Sequence, residues 1–439
     1  MKHFQYIIAI FLLSIGFLQA QETDSIAMFK KRVLETVEVD FLSSYYKQDG
    51  IHSAVAGGNG MEDLTNITPT FIVAIPLSDD EILTVDAGIS AYSSASSGNI
   101  NPFDSNTPNP FQASSGASAQ DVLTTLVVNY SHHSDNRNTI LNGHISASVE
   151  YDYASIGFGG GLSHLFNEKN SEFNVSANVY LDTWTPIYPK ELQEFADFGN
   201  TIESPLFDQI IVSGNTAYNP INFKIHDNKN RNSFALSFAF SQVINKKLQV
   251  SVFMDVLHQQ GLLSTPYQRV YFADKNDAFI NEFHLADDIE RLPDTRFKIP
   301  MGVRLNYYLN EKFVLRSYYR FYSDDWNIQS HTFNVEIPYK LTDRFTVFPM
   351  YRFYTQTATN YFAPYNQHLS TETYYTSDYD LSTFVAHQYG FGVNYTDIFM
   401  GSRIWRFGIK NIDFRYNHYS RNDGLSANIV SFGIKFVLE

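Results

Sequence analysis

The 439-residue sequence contains no cysteine, which excludes disulfide scaffolds, thiolate nucleophiles and cysteine-ligated metals together. Charge is sparse: 18% of residues carry it, against roughly 25% in ordinary soluble domains. Lys and Arg are the minority, 31 against 46 Asp and Glu for a net charge of −15, so no nucleic-acid partner held by counterion release is expected. After residue 20 no apolar run approaches the 18 residues that a membrane helix needs. The motifs of common chemistry are missing too, with no HExxH and no GxSxG. Gly57-Gly58-Asn59-Gly60 has no Lys-Ser/Thr after it and no helix pattern, so it reads as a tight loop with positive φ rather than a phosphate cradle. What the chain has in quantity is aromatic rings, 37 Phe, 29 Tyr and 3 Trp, a content no disordered chain carries.

The N-terminus reads as an export signal. A basic start at Met1-Lys2-His3 precedes the apolar run Ile7 to Leu18, and Ala20 stands before an expected cut ahead of Gln21. The expected organisation is a signal peptide at 1–20, a short periplasmic segment at 21–32 and one domain over 33–439. With no membrane helix in that domain, an exported chain is either secreted or a β-barrel.

Periodicity separates the two. Phe234, Leu236, Phe238 and Phe240 alternate with Ala235, Ser237 and Ala239, the pattern of a strand with one apolar face. Val85, Ala87, Ile89 and Ala91 repeat it, as do Val303, Leu305, Tyr307 and Leu309. Rings gather near the ends of these runs (Tyr45-Tyr46, Tyr151 and Tyr153, Trp184 with Tyr188, Tyr318-Tyr319, Trp405), as in the aromatic girdles of membrane barrels. Strands are predicted at 33–46, 64–76, 82–95, 119–132, 139–152, 155–166, 172–187, 232–244, 248–262, 297–309, 313–323, 329–340, 344–357, 387–397, 403–418 and 425–438. The even total suits a single-chain barrel with both termini in the periplasm. The connections alternate in length. All the long ones, 47–63, 96–118, 188–231, 263–296 and 358–386, fall on one parity, as extracellular loops opposite short periplasmic turns do. The fold class is therefore all-β: a transmembrane antiparallel up-and-down barrel of about sixteen strands in the outer membrane of a Gram-negative bacterium.

Three segments resemble a bacterial outer-membrane family catalogued only as a domain of unknown function. They are Ser53-Ala54-Val55-Ala56-Gly57-Gly58-Asn59-Gly60, Tyr92-Ser93-Ser94-Ala95-Ser96-Ser97-Gly98-Asn99-Ile100, and Glu150-Tyr151-Asp152-Tyr153-Ala154-Ser155-Ile156-Gly157. Ala56 departs from an expected Thr, and Ala119-Gln120 from a basic position. The resemblance implies a barrel and an envelope location but no activity. Members are often encoded near flavin-transferring and thioredoxin-like envelope proteins, which implies an envelope redox partner or a surface partner. Gly433, Phe436 and Leu438 resemble the terminal-strand signal read by the barrel-assembly machinery, with departures at Phe432 and Glu439.

Placing the apolar parity toward lipid sends an acidic set into the lumen from the first half: Glu38, Asp40, Asp86, Glu150, Asp152, Asp182 and Asp255. The second half contributes a basic set, Arg304, Arg316, Arg320, Arg352, Arg406, Lys410, Arg415 and Lys435, with Glu336 and Asp413 of opposite sign. A parity shift between Ile409 and Ile412 predicts a bulge near Asn411. The two sets either face each other across a water-filled pore or pair off and fill the interior. His132, His133 and Asp135 read as solvated turn sequence. His144 and Ser146 share a face but have no evident orienting acid. No cofactor or metal site is expected. Partners are lipid and the assembly machinery. Three functions stand open at this point: a porin-like channel for small polar solutes, a non-conducting scaffold using 188–231 and 263–296 as contact surfaces, and a membrane hydrolase.

Overall fold

The computed structural model describes residues 32–93, 121–208, 212–214, 218–220, 223–227, 229–280, 283–397 and 401–438. The expected signal peptide, nearly all of the segment at 21–32, most of the Tyr92–Ile100 motif and the 96–118 loop lie outside them.

Sixteen antiparallel strands form the wall: β1 Glu38–Gly50, β2 Glu62–Pro76, β3 Glu81–Ser93, β4 Asp121–His133, β5 Thr139–Val149, β6 Tyr153–Phe166, β7 Ser171–Trp184, β8 Asn230–Asn245, β9 Leu248–Gly261, β10 Thr295–Tyr308, β11 Val314–Asp324, β12 Gln329–Glu336, β13 Phe345–Gln356, β14 Phe384–Thr396, β15 Phe407–Arg421 and β16 Ser426–Leu438. Each pairs with its neighbour in sequence, and β1 pairs with β16 from Glu38↔Val437 to Asp49↔Ser426, which closes the ring. Closure leaves no strand edge unpaired, the condition for backbone to lie in lipid. Tyr339–Lys340 rejoins β13 after Pro338, which lacks an N–H to donate, interrupts β12.

The exterior is apolar by alternation. On β8, Leu236 and Phe240 are exposed while Ser233 and Ala235 between the strands' lumenal neighbours are buried. Exposed Ile67, Phe71, Ile89, Leu126, Leu141 and Ile145 continue the band. An apolar surface of this extent belongs in lipid, not water. Near the short-turn end, Tyr130, Phe166, Phe173, Tyr307, Phe313 and Phe345 form an exposed ring of aromatics.

Several expectations are corrected. The first strand starts at Glu38 rather than 33, and the β5 strand stops at Val149. The penultimate strand starts at Phe407, because Arg403–Ile404 folds back on Phe407–Gly408 as a hairpin. Not all the end-of-strand rings face lipid: Tyr153 and Trp184 point inward and bury against Leu262, since adjacent residues of a strand face opposite sides. In Tyr45-Tyr46 and Tyr318-Tyr319 only Tyr45 and Tyr319 are exposed. The bulge expected near Asn411 is present, between Ile409 and Asn411.

The largest buried cluster is in the outer connections, not the wall. Leu192, Phe195, Phe207, Tyr218, Phe223, Tyr271, Leu285 and Ile289 pack together. They come from the connections 185–229 and 262–294, with helix α1 Lys190–Asp197 laying Leu192 and Phe195 into the cluster.

Candidate functional site

The lumenal charges divide into three groups. At the end that carries the termini, Glu38 accepts from Lys410 Nζ at 2.7 Å and from Lys435 Nζ at 3.3 Å, and Lys435 also lies 3.1 Å from Asp40. The Ile409–Asn411 bulge is what turns Lys410 toward Glu38. Higher on the wall, Glu336 takes Arg316 at 2.9 Å and Arg415 at 3.1 Å, and Arg415 also reaches Asp413 at 3.0 Å. At the terminal end the acidic and basic sets pair instead of facing each other across water. Closing the ring puts β1 beside β16, so acids and bases that are distant in sequence meet along the seam. Arg406 leaves the set altogether: it sits exposed in the hairpin turn and leans on Trp405.

The middle of the wall is different. Arg304 lies with its guanidinium carbon 5.5 Å from the Phe253 ring and 5.7 Å from the Tyr318 ring. Tyr318 can lean over β10 because position 302 is glycine; a Cβ there would lie 3.2 Å from the ring. Phe253, Asp255, Gly302, Tyr318 and Arg320 line a recess in the wall. Arg352 is on the same face, level with Asn334 and Tyr318 across the ladder.

Glu150 and Asp152, expected on a strand, occupy the turn after β5 at the outer rim. Their oxygens and one of Asp121 lie within 4.8 Å of one another. Asp152 accepts from Trp184 Nε1 at 3.1 Å. Burial, then the Asp152 charge, pushes the Glu150 carboxyl up to about 7. Asp182 is buried and faces inward on β7, and Asp86 shares the face of Ser90 on β3. His132 and His133 are consecutive on β4 and so point to opposite sides, which prevents a shared metal. His144 and Ser146 both face the lumen, and neither hydrogen-bonds to a described residue.

Above the lumen the outer connections lock into a cap. Arg269 holds Glu191 with both forks, Nε at 2.7 Å and Nη2 at 3.1 Å, while Nη1 donates to the Val55 carbonyl at 2.6 Å. One side chain thereby ties together 262–294, 185–229 and 51–61. Arg291 joins Asp288, the Lys224 carbonyl and His226. Tyr375 donates to the other oxygen of Asp288, and Thr376 to Glu290. His52 stacks on Tyr379 at 3.3 Å between centroids, its ring nitrogens 2.9 Å from the carbonyls of Gly58 and Asp423. Gly57 and Gly58 adopt φ of +72° and +81°, and a side chain at either would strike Tyr271 or the Ser377 carbonyl. The cap is anchored to the inside of the rim. Lumen-facing Gln356 donates to the Asp380 and Ser382 carbonyls, and Arg421 to the Asp380 carboxylate at 2.6 Å. Burial raises Asp287 to about 6 and Glu290 to about 7, and burial with Arg291 pushes His226 down to about 4.

Sequence reasoning missed Arg296, which pairs with Asp324 at 2.5 Å, and Arg421. Both lie on the lumenal parity of their strands but beyond the expected strand ends, so extending the alternation by one residue at Arg296 and three at Arg421 recovers them. The cap residues carry no period and no motif that marks their contacts.

The sequence profile of a family described as protein of unknown function (DUF3570) matches residues 7–428. No curated protein matches the sequence. Among solved structures, a bacterial polysaccharide outer membrane secretin aligns at 10% identity over 92% of this chain and 99% of its own, with a TM-score of 0.45. A BenF-like porin from Pseudomonas fluorescens Pf-5 aligns at 8% identity over 92% and 98%, TM-score 0.40. OccK2 (OpdF) of Pseudomonas aeruginosa aligns at 7% identity over 93% and 100%, TM-score 0.36.

Proposed function

The chain belongs to the DUF3570 family of proteins of unknown function, and on that premise we propose that it is an outer-membrane channel for small polar solutes, closed at its outer mouth by its own loops. The observation that carries this reading is the contrast in solvent access along the lumen. The side chains of Arg316 and Lys410 stay 50% and 49% exposed although both point inward. In the cap, Glu290 is 1% and Asp288 0% exposed. Sixteen strands enclose more volume than wall side chains fill, so water reaches the charged wall from the end opposite the cap. The cap then governs passage.

Planar-bilayer recording on the purified protein tests this. The expected result is small or intermittent current in the intact protein and larger, steady current when the cap is loosened. No current in either state overturns the channel and favours the scaffold reading, for which the joined surfaces at 188–231 and 263–296 are the contact face. A hydrolase has less support, since His144 and Ser146 lack an orienting partner among the described residues. Delivery to the membrane rests on Gly433, Phe436 and Leu438 on β16 as the assembly signal. Deleting that strand's last residues is expected to abolish insertion.

A further inference from the structure

Elsewhere on the wall this barrel supplies carboxylates to its lumenal arginines: Arg316, Arg415, Arg296 and Arg421 each have one within 3.1 Å. In the middle two arginines differ. Among the described residues Arg320 and Arg352, on β11 and β13, neither donate a hydrogen bond nor form an ion pair, although the Arg320 charge acts on Asp255. Arg352 Nε is closed off from solvent without a partner, although Arg320 is among the charges that act on it. Arg304 stands beside them across Tyr318. Asp255 lines the same recess as Arg320 and accepts from the Ser237 hydroxyl. Guanidinium groups stay charged at every accessible pH. Gathering them on a partly dried wall is costly unless an anion completes the set.

We propose that Arg304, Arg320 and Arg352, with Tyr318 and Phe253, form a binding station for small organic monocarboxylates inside the lumen. Three features select that class. Guanidinium forks match the two coplanar oxygens of a carboxylate. The Phe253 and Tyr318 rings give an apolar body somewhere to lie. Asp255 sets a negative charge against a second acid group, which disfavours dicarboxylates. The proposal rests on the reading of the lumen as a solute pathway, and its test separates the two.

Calorimetric titration of the detergent-solubilised full chain with butyrate, succinate and sulfate measures binding without any need for current. Butyrate is expected to bind, with succinate and sulfate at least tenfold weaker. Arg320→Gln with Arg352→Gln is expected to weaken butyrate at least tenfold, and Arg320→Lys with Arg352→Lys nearly as much because the fork is lost. Arg316→Gln, which removes an equal charge lower in the lumen, should change it less than twofold. Absence of butyrate binding, equal affinity for all three anions, or equal loss in Arg316→Gln overturns the station. The comparison of three anions on the unaltered protein stands even if the double variant fails to fold. Bilayer currents from the same sample complete the separation: current without butyrate binding removes the station alone, and binding without current removes the channel and leaves the station.

Discussion

The Arg269–Glu191 pair gives the sharpest test of the cap. Glu191 sits on α1 with its side chain 4% exposed, and Arg269 is 13% exposed, so neither charge has water to fall back on. Replacing Glu191 with Ala takes the carboxylate from the guanidinium while its bond to the Val55 carbonyl stays, and it also deprives the buried Ala286 N–H of its acceptor. Breaking a buried pair from one side costs about 3–5 kcal/mol. None of this falls on the strand ladders, so the barrel itself stays closed. The loss instead appears in the equilibrium between a docked and a released cap, which shifts by about a hundredfold or more at roughly 1.4 kcal/mol per factor of ten. In bilayers Glu191→Ala is expected to convert intermittent openings to steady current. In intact cells, 262–294 should become sensitive to external protease while the heat-modifiable barrel is unchanged. Replacing both partners, Glu191→Gln with Arg269→Met, leaves no orphaned charge and should restore much of the closure. Because the pair is buried, salt should affect it little. If Glu191→Ala keeps its loops protected and its current unaltered, the cap does not close the mouth and the mechanism fails.

Three further outcomes are expected. Glu290, raised from an ordinary 4.5 to about 7 by burial, binds a proton in the folded cap that the released segment gives up, so its contribution to closure is full below about 4.5 and lost as pH rises through 7; Asp287, raised to about 6, acts in the same direction. His226, pushed down to about 4, opposes them between 4 and 6.5 but cancels only one of the two acids, so hydrogen exchange of the cap, corrected for the intrinsic rate, should accelerate from pH 4.5 to 7 and Glu290→Gln should reduce that rise; slower corrected exchange at the higher pH would contradict the assignment. Gly57→Ala, with φ at +72° and its Cβ 2.6 Å from the Tyr271 ring, should cost the cap about 1–3 kcal/mol, whereas Gly199→Ala, also at +72° but with nothing within 4 Å, should cost it less by the same exchange measurement. A tag at 366–370 should be reachable on intact cells and one at 310–312 only after permeabilisation; equal labelling would mean that the strand count or the orientation is wrong.

What the sequence determined alone is the wall. The period-two pattern, as in Phe234 to Phe240, is local, because lipid on one side of a strand dictates every second residue regardless of what lies across the barrel. Loop parity follows for the same reason, since each crossing reverses the side on which the chain emerges. The Asn411 bulge was visible as a slip in that pattern. Partnership was not visible. Glu38 and Lys435 are 397 residues apart and meet only because the ring closes β1 on β16, and that closure turns two expected opposing walls into a paired seam. Arg406 carried the right parity but lies past a hairpin that ends the strand early. The cap lies further still from sequence: Arg269, Glu191 and Val55 belong to three connections without periodicity, and packing in three dimensions alone selects their geometry. The mid-lumen arginines fall between these cases. Alternation put them inside, and only the assembled wall revealed that Arg320 and Arg352 form no ion pair among the described residues.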